Sequence, residues 1–352
     1  MSDSTSDMLI ESLRRLLSTE IASDEGGALE AGNWHSALWG QMAGLGMTSV
    51  ASDYEEEGFA LAAGALVEIG RAAAVVPLLE HDVLAGWILA QAGVERPSEG
   101  VLSAAAGVGA GELGIRRIGG KWRLEGRIPR VPFGRHAAEI VLVASVDRAN
   151  WAIRVPTAQT RLVGERNLAD EPRDHVYLDG VSVEPAQVSL LPPTVTPDRV
   201  LARGALGRSF QMLGAMERAF AMTHEYARTR VQFGRSLSQF QVIQGYLAEI
   251  VGEIAATRAM CEVALEAARK GAAIEEIAAA KIRAGQAARV VAERSHQIHG
   301  AIGFTREYAL QLATRRLWSW REEFGNESYW ADRLGRAMSA LGPEGLWERM
   351  TG

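Results

Sequence analysis

Residues 226–250, YARTRVQFGRSLSQFQVIQGYLAEI, carry the end of one helix and the start of another within one short connection. Upstream of this stretch, Leu206, Phe210, Leu213, Phe220 and Tyr226 fall on one helical face. That helix is predicted to start with Thr196 as N-cap and Pro197 at its first position, and to stop at Gly234. Downstream, Ser236 to Gln239 has the spacing of a capping box and leads into Phe240, Ile243, Leu247, Ile250 and Ile254. A third, alanine-rich helix is expected over 273–298, stopped by HGAIGF (299–304). A fourth is expected over 307–320, and a last one after Asn326. Four long helices in succession predict a bundle.

Toward the N-terminus the period changes. ELGIRRIGGKWRLEGRI (112–128) sets a two-glycine turn between two short runs rich in Ile, Trp and Leu, a hairpin signal. EIVLVASV (139–146) and WAIRV (151–155) read as buried strands, and HVYLDGVSV (175–183) alternates through Val176, Leu178 and Val181. Before residue 100 the chain is helical again: Leu9, Leu13, Leu16 and Leu17 share a face, and 61–88 is rich in Ala, Leu and Val. The expected class is α+β, with a helical domain over 1–98, a middle β-barrel or sandwich domain over 99–192, and a helical bundle over 193–352.

Composition narrows the function. At 352 residues, 47% apolar and 23% charged, the chain suits a globular protein of two or three folding units. Its net charge of −6 argues against nucleic acid or an anionic membrane as the main partner. Six arginines (203, 208, 218, 228, 230 and 235) crowd one region, which suits either bidentate phosphate binding or a solvated helix face. Cys261 is the single cysteine; it cannot form an internal disulfide, no zinc spacing surrounds it, and it reads as a core residue. Neither a cleavable leader nor a membrane span is visible, and a cytoplasmic location is expected.

Domain order and three motifs together resemble the acyl-CoA dehydrogenase family. The opening stretch is similar to the family's segment that closes one bundle helix and opens the next. QIHGAIGFTREYALQLATRRLW (297–318) resembles its glutamine–glycine flavin motif, and GKWRLEGRIPRVPFGRHAAEIVLVAS (120–145) its middle-domain hairpin and strand. The resemblance implies FAD as cofactor and an acyl-CoA as substrate. It also implies that Arg230, with Gln232 and Phe233 beside it and Gln241 following, reaches the flavin of a neighbouring subunit. Gln297, Gly300 and Ala301, with Gly303, would then lie against its ADP part. A helix-end arginine and a plain glycine stop are the alternative readings of these positions. A flavin shared between subunits implies a tetramer or a dimer of dimers. His299 reads as a structural or ligand-neighbouring histidine, and Trp318, Trp320 and Trp330 as helix-packing residues more than as an aromatic cage.

The family's chemistry requires a carboxylate to take the α-proton of the thioester while the flavin takes a hydride from the β-carbon. That carboxylate must be raised toward neutrality by desolvation. Counting on from Gly303-Phe304, the usual glutamate position falls on Phe324, followed by Gly325. The other place the family uses, on the first bundle helix, falls near Gly204 or Ala205. Neither carries a carboxylate. Nearby stand Glu322, Glu323 and Glu327; Glu323 is the candidate base if the loop shifts, and Glu327 suits a helix N-terminus. The family's Thr-Glu-Pro loop has no counterpart in AAAGVGAGELG (104–114). Three readings follow: the base-lacking subunit of a heteromeric acyl-CoA dehydrogenase acting on bulky, steroid-like acyl groups; a homotetrameric or homodimeric flavoenzyme using Glu323; or a non-catalytic CoA- or flavin-binding scaffold.

Overall fold

The computed structural model describes residues 3–23, 33–53, 55–105, 113–118, 121–271 and 273–351. Helices come first: α1 (Asp3–Ser23), α2 (Ser36–Gly44), α3 (Val50–Asp53), α4 (Glu55–Ala72) and α5 (Trp87–Gln91). Leu13 and Leu17 of α1 are fully buried, with Leu9 and Leu16 packed at the edge of the same core. A π-helical turn, Leu79–Gly86, precedes α5 and is buried throughout.

This turn differs from the ordinary helix expected there. It carries Glu80, His81 and Asp82 in succession, and each is spent on a different neighbour. Asp82 accepts from the backbone N–H of Ala51 and Ser52 at 2.7 and 3.0 Å. His81 Nδ1 accepts from Leu102 N at 2.8 Å, and Glu80 accepts from Arg208 at 2.8 Å. One turn thus ties the first helices to a strand and to the C-terminal helices.

The middle of the chain holds β1 (Val101–Ala105), β2 (Leu113–Ile118), β3 (Lys121–Pro132), β4 (Ala137–Val146), β5 (Ala149–Pro156), β6 (Arg161–Val163), β7 (Arg173–Val183) and β8 (Val188–Leu190). They form two four-stranded sheets, ordered β1-β4-β5-β8 and β2-β3-β7-β6. Among the described strands, β1 and β4 alone pair in parallel. Alternation fills the space between the sheets: Trp122, Leu124 and Ile128 from one face Ile140, Leu142 and Ile153 from the other. The expected hairpin is β2–β3, in register from Ile118↔Lys121 onward; its glycine turn at 119–120 lies outside the described residues.

The C-terminal part contains α6 (Pro197–Thr229), a small hairpin of β9 (Val231–Gln232) and β10 (Arg235–Ser236), α7 (Gln241–Arg269), α8 (Ile274–His299), α9 (Leu310–Trp320), α10 (Glu327–Ala340) and α11 (Gly342–Thr351). Thr196 caps α6 as expected, its hydroxyl accepting from Arg199 N at 3.1 Å, with Pro197 first in the helix. Two expectations fail nearby. First, α6 ends at Thr229 and not at Gly234, because 231–232 pair with 235–236. Second, Ser236 does not cap an α-helix: a 3₁₀ turn over Leu237–Gln239 intervenes, and its hydroxyl meets Ser238 Oγ at 2.9 Å. Three of the bundle helices are long, while α9 has 11 residues.

Contact between α4 and α6 is backbone-close. A Cβ added to Gly214 would lie 1.9 Å from Val67 O, and one on Gly70 would lie 2.1 Å from Gln211 O. Neither position has room for a methyl group.

Candidate active site

The loop from α9 to α10 is fixed at both ends. Lys281 Nζ donates to Arg321 O at 2.7 Å and Trp320 O at 3.3 Å, satisfying carbonyls at the end of α9. At the other end Asn326 Oδ1 accepts from Tyr329 N at 3.0 Å, capping α10. Between them Phe324 and Gly325 both adopt the left-handed region, at φ 56° and 85°. For a phenylalanine that conformation costs about 1–3 kcal/mol and persists only where its surroundings enforce it. Here they do: the Trp330 indole N–H donates to Phe324 O at 2.9 Å, and the Phe324 ring lies over Gly204. A Cβ on Gly204 would meet Phe324 Cδ1 at 2.4 Å. The two positions at which the resemblance seeks a base therefore face one another, and neither supplies one.

Glu323, the candidate base, is anchored elsewhere. It accepts from Arg173 at 2.8 and 3.1 Å and from Asn167 Nδ2 at 3.1 Å, and pairs with Arg208 at 2.8 Å. Burial alone would raise its carboxyl, but the Arg173 and Arg208 guanidiniums outweigh burial and hold it down at about 2. A carboxylate kept that acidic is a poor proton acceptor at neutral pH. Behind it the ion pairs continue: Arg208 to Glu80, and Arg173 and Arg316 to Glu171 at 3.0 and 3.1 Å. The Trp320 indole N–H also donates to Glu171 at 2.8 Å. Glu80 differs from Glu323: burial pushes its carboxyl up, with Arg208 opposing.

A cleft of about 1410 Å³ opens between β1, β3 and β4, the segment 165–168, the start of α6 and this loop. Ile128, Arg130, Leu142, Leu201, Trp318 and Phe324 are among its walls. Among the described residues, each carboxylate lining it has a partner. Glu165 meets His175 at 3.2 Å, Asp198 meets Arg333 at 2.8 Å, Glu322 accepts from Asn326 at 3.1 Å, and Glu323 is held as above. Most of the glycine- and alanine-rich loop singled out in the sequence, 106–112, lies outside the described residues. Glu327 opens α10 and accepts from Arg321 Nε at 2.9 Å.

The residues expected at the cofactor sit at the opposite end of α6. Arg230 is its exposed C-cap. Gln232 is in β9, Phe233 projects at 92% exposure, and Gln241 opens α7. Gln297, Gly300 and Ala301 are exposed at the end of α8, where Gly300 has φ 65° and open space at its missing Cβ. Tyr226 joins the two ends: its ring stacks on His299 at 4.4 Å and its hydroxyl donates to His299 O at 3.4 Å. His299 is structural, its other contacts being Ser295 O at 2.8 Å and the Tyr308 hydroxyl at 3.1 Å. A cation, three side-chain amides and an open glycine backbone suit a diphosphate and its nucleoside. Exposed Val231, Ile302 and Phe304 beside them suit cover by another chain.

From Leu201 in the cleft to Arg230 is 29 residues of α6, roughly 43 Å at 1.5 Å per residue.

The arginine group resolves into separate roles because α6 spreads it out. Arg203 is half-buried over Phe59 and Trp87, at 4.0 and 4.6 Å from their rings, and desolvation pushes it down to about 9. Arg208 joins the ionic floor, Arg218 donates to Arg71 O at 3.1 Å, and Arg235 lies 4.1 Å from the Phe240 ring. Trp320 and Trp330 are buried with their N–H groups spent, and Trp318 meets Arg321 at 5.2 Å, so the three form no cage. Cys261 is buried in the core, and burial pushes its thiol up to about 12.

Comparison with known proteins gives the family of the C-terminal part and the fold of the whole. Residues 196–346 match the family described as acyl-CoA dehydrogenase, C-terminal domain. Among characterised relatives, 3-sulfinopropanoyl-CoA desulfinase of Paraburkholderia xenovorans is 36% identical over 110 residues, 31% of this chain and 28% of that protein. The chain therefore aligns with under a third of that relative's length. Acyl-CoA dehydrogenase FadE27 of Mycobacterium tuberculosis is 27% identical over 295 residues, 76% of this chain and 78% of that one. The ChsE4-ChsE5 complex from Mycobacterium tuberculosis superposes with a TM-score of 0.85 at 22% identity, covering 96% of this chain and 98% of that one. A steroid acyl-CoA dehydrogenase, Tcur3481-Tcur3483, does so at 0.86 and 24%, with the same coverage. Residues 196–346 thus carry the acyl-CoA dehydrogenase C-terminal domain, and the chain as a whole has the fold of these solved acyl-CoA dehydrogenase structures.

Proposed function

We propose that this chain is the base-lacking subunit of a heteromeric, FAD-dependent acyl-CoA dehydrogenase. The observation that carries the reading is the Gly204–Phe324 contact: both places for the catalytic carboxylate are used up by an apolar packing contact. The remaining cleft carboxylates point the same way, since Glu323 is held near 2 by two arginines. A partner subunit supplies the base that removes the α-proton of the thioester. FAD, when bound, accepts the hydride from the β-carbon. Arg230, Gln232, Gln241 and Gln297 would hold the diphosphate and nucleoside of a flavin shared with the partner. The separation of Arg230 from Leu201 along α6 is consistent with that division. Bulky acyl groups, including steroid side chains, are the proposed substrate class. Likeness to the Tcur3481-Tcur3483 steroid acyl-CoA dehydrogenase supports it.

Co-expression with a family member encoded beside this chain tests the reading. The expected product is a yellow complex with one FAD for each pair of unlike chains, active with an acyl-CoA and a dye acceptor. Purified alone, the chain should be flavin-poor and inactive. A yellow, active preparation of this chain alone would overturn the proposal and favour a homo-oligomeric enzyme.

A further inference from the structure

The cleft without a base still carries unmatched positive charge. We infer that it is a second ligand site, which holds a phosphate-bearing molecule with an apolar end through Arg116 and Arg130 and does not turn it over. A CoA thioester and a flavin dinucleotide share that chemistry. The inference rests on the proposed role as the base-lacking subunit.

Among the described residues, Arg116, Arg130, Arg166 and Arg173 are the arginines that line the cleft. Arg166 meets Asp170 at 3.5 Å, and Arg173 is shared between Glu171 and Glu323. The lining carboxylates are matched as well, as described above. Arg116 and Arg130 are exposed, and neither meets a carboxylate among the described residues. The charge left over in the cleft is therefore positive, although the chain carries −6 overall. A concave surface with unmatched charge of one sign concentrates ligands of the other. Ile128, Leu142 and Leu201 make its walls apolar, so the ligand that suits it is an anion with an apolar part.

Both arginines are placed at a local cost. Arg130 stands where β3 slips register against β7, between Ile128 and Val131, and has φ 52°. That left-handed backbone is strained for a residue with a Cβ, and an irregularity of this kind re-aims the side chain it carries. The Arg130 N–H donates to His175 Nδ1 at 3.4 Å. Arg116 lies directly across the β2–β3 ladder from Arg123, and like charges facing each other on a sheet repel. An anion at Arg116 offsets that repulsion. Arg123 and Arg130 are seven residues apart on β3, roughly 23 Å at 3.3 Å per residue. A small carboxylate cannot meet both ends of that span. An extended ligand with acceptors along its length can, its phosphates taking paired N–H bonds from a guanidinium.

Equilibrium dialysis of the full chain, purified alone, tests the assignment with two probes, a long-chain alkyl-CoA thioether and FAD. Binding of at least one is expected, and the one that binds names the source of the phosphates. Arg116→Gln and Arg130→Asn should each weaken that binding about tenfold, asparagine being tolerant of the left-handed backbone. The matching pantetheine thioether keeps the apolar tail and lacks the phosphates; it should bind weakly and ignore both substitutions. Retention of neither probe overturns the inference, as does binding of both that neither substitution weakens. An equal loss of the pantetheine thioether overturns it too, by marking the arginines as structural. The readout is occupancy, not turnover. If this chain proves active alone, the base-lacking reading falls on that result, while dialysis still decides whether Arg116 and Arg130 hold a phosphate-bearing ligand.

Discussion

Gly204 and Phe324 fit each other as notch and ring: a Cβ at residue 204 would fall 2.4 Å from Cδ1 and 2.5 Å from Cε1 of the phenylalanine. A methyl there has no soft neighbour to displace, because Trp330 and the anchored Glu323 hold the loop. Gly204→Ala should therefore destabilise the chain by about 1–3 kcal/mol, as overpacking does in cores. The same substitution made in a Phe324→Ala background should cost much less, a coupling of about 0.5–3 kcal/mol in a double-mutant cycle. Urea midpoints of the four proteins give the number, and strict additivity would mean that the two residues do not touch.

Glu323 gives a prediction with a defined pH window. Its carboxyl lies near 2 in the folded chain against an ordinary 4.5, so the unfolded chain binds the proton more readily. The stabilisation is fully present above 4.5 and is lost as pH falls through about 2. At neutral pH Glu323→Gln leaves two buried guanidiniums short of an anion and should cost about 3–5 kcal/mol. The gap between variant and wild type should narrow steadily as the medium is acidified below 4.5. A gap independent of pH would show that Glu323 is not the ion-paired group described here.

Much of the fold was legible because its signals are local. The Thr196-Pro197 start, the Asn326 cap and the strand alternation of 175–183 each depend on residues within one or two turns of each other. What was missed depends on distant partners. Glu80 and Arg208 are 128 residues apart, and Arg173 and Glu323 are 150 apart, so no spacing rule joins them. A usable hint was present: Glu80-His81-Asp82 interrupts an apolar run, and titratable side chains in such a setting are buried only when paired. The end of α6 was misjudged for a different reason. Gly234 is a real turn residue, but it turns a two-residue hairpin and does not end a helix. At the candidate site, position 324 and its lack of a carboxylate were readable by counting. The contact with Gly204 was not, because it joins α6 to a loop 120 residues downstream.

Arg230 tests the cofactor half of the proposal. Its side chain is exposed at the end of α6, so Arg230→Ala removes a cation without disturbing the core. Charge-assisted bonds to a phosphate contribute about 1.5–3 kcal/mol each, so FAD affinity in the complex should fall roughly 10- to 100-fold. Absorbance at flavin wavelengths after gel filtration should show the loss, while the thermal midpoint of the flavin-free protein stays unchanged. Full flavin retention would remove Arg230 from the site.

Lys281 links the cleft floor to alkaline pH. It is buried, donates to the carbonyls of Trp320 and Arg321, and so holds the end of α9 from which the Phe324 loop departs. Burial pushes its ammonium down from 10.5 to about 8, against the pull of Glu327 and Glu323. Between those values the unfolded chain binds more protons than the folded one, and stability rises with pH across that interval. Lys281→Met abolishes the titration and should abolish the rise. Relative to the variant, the wild type should gain about 1–3 kcal/mol between pH 8 and 10.5. Denaturation curves collected in steps across that range read the difference. Parallel curves for the two proteins would mean that the buried amine keeps its ordinary affinity for the proton and that the loop is held by other groups.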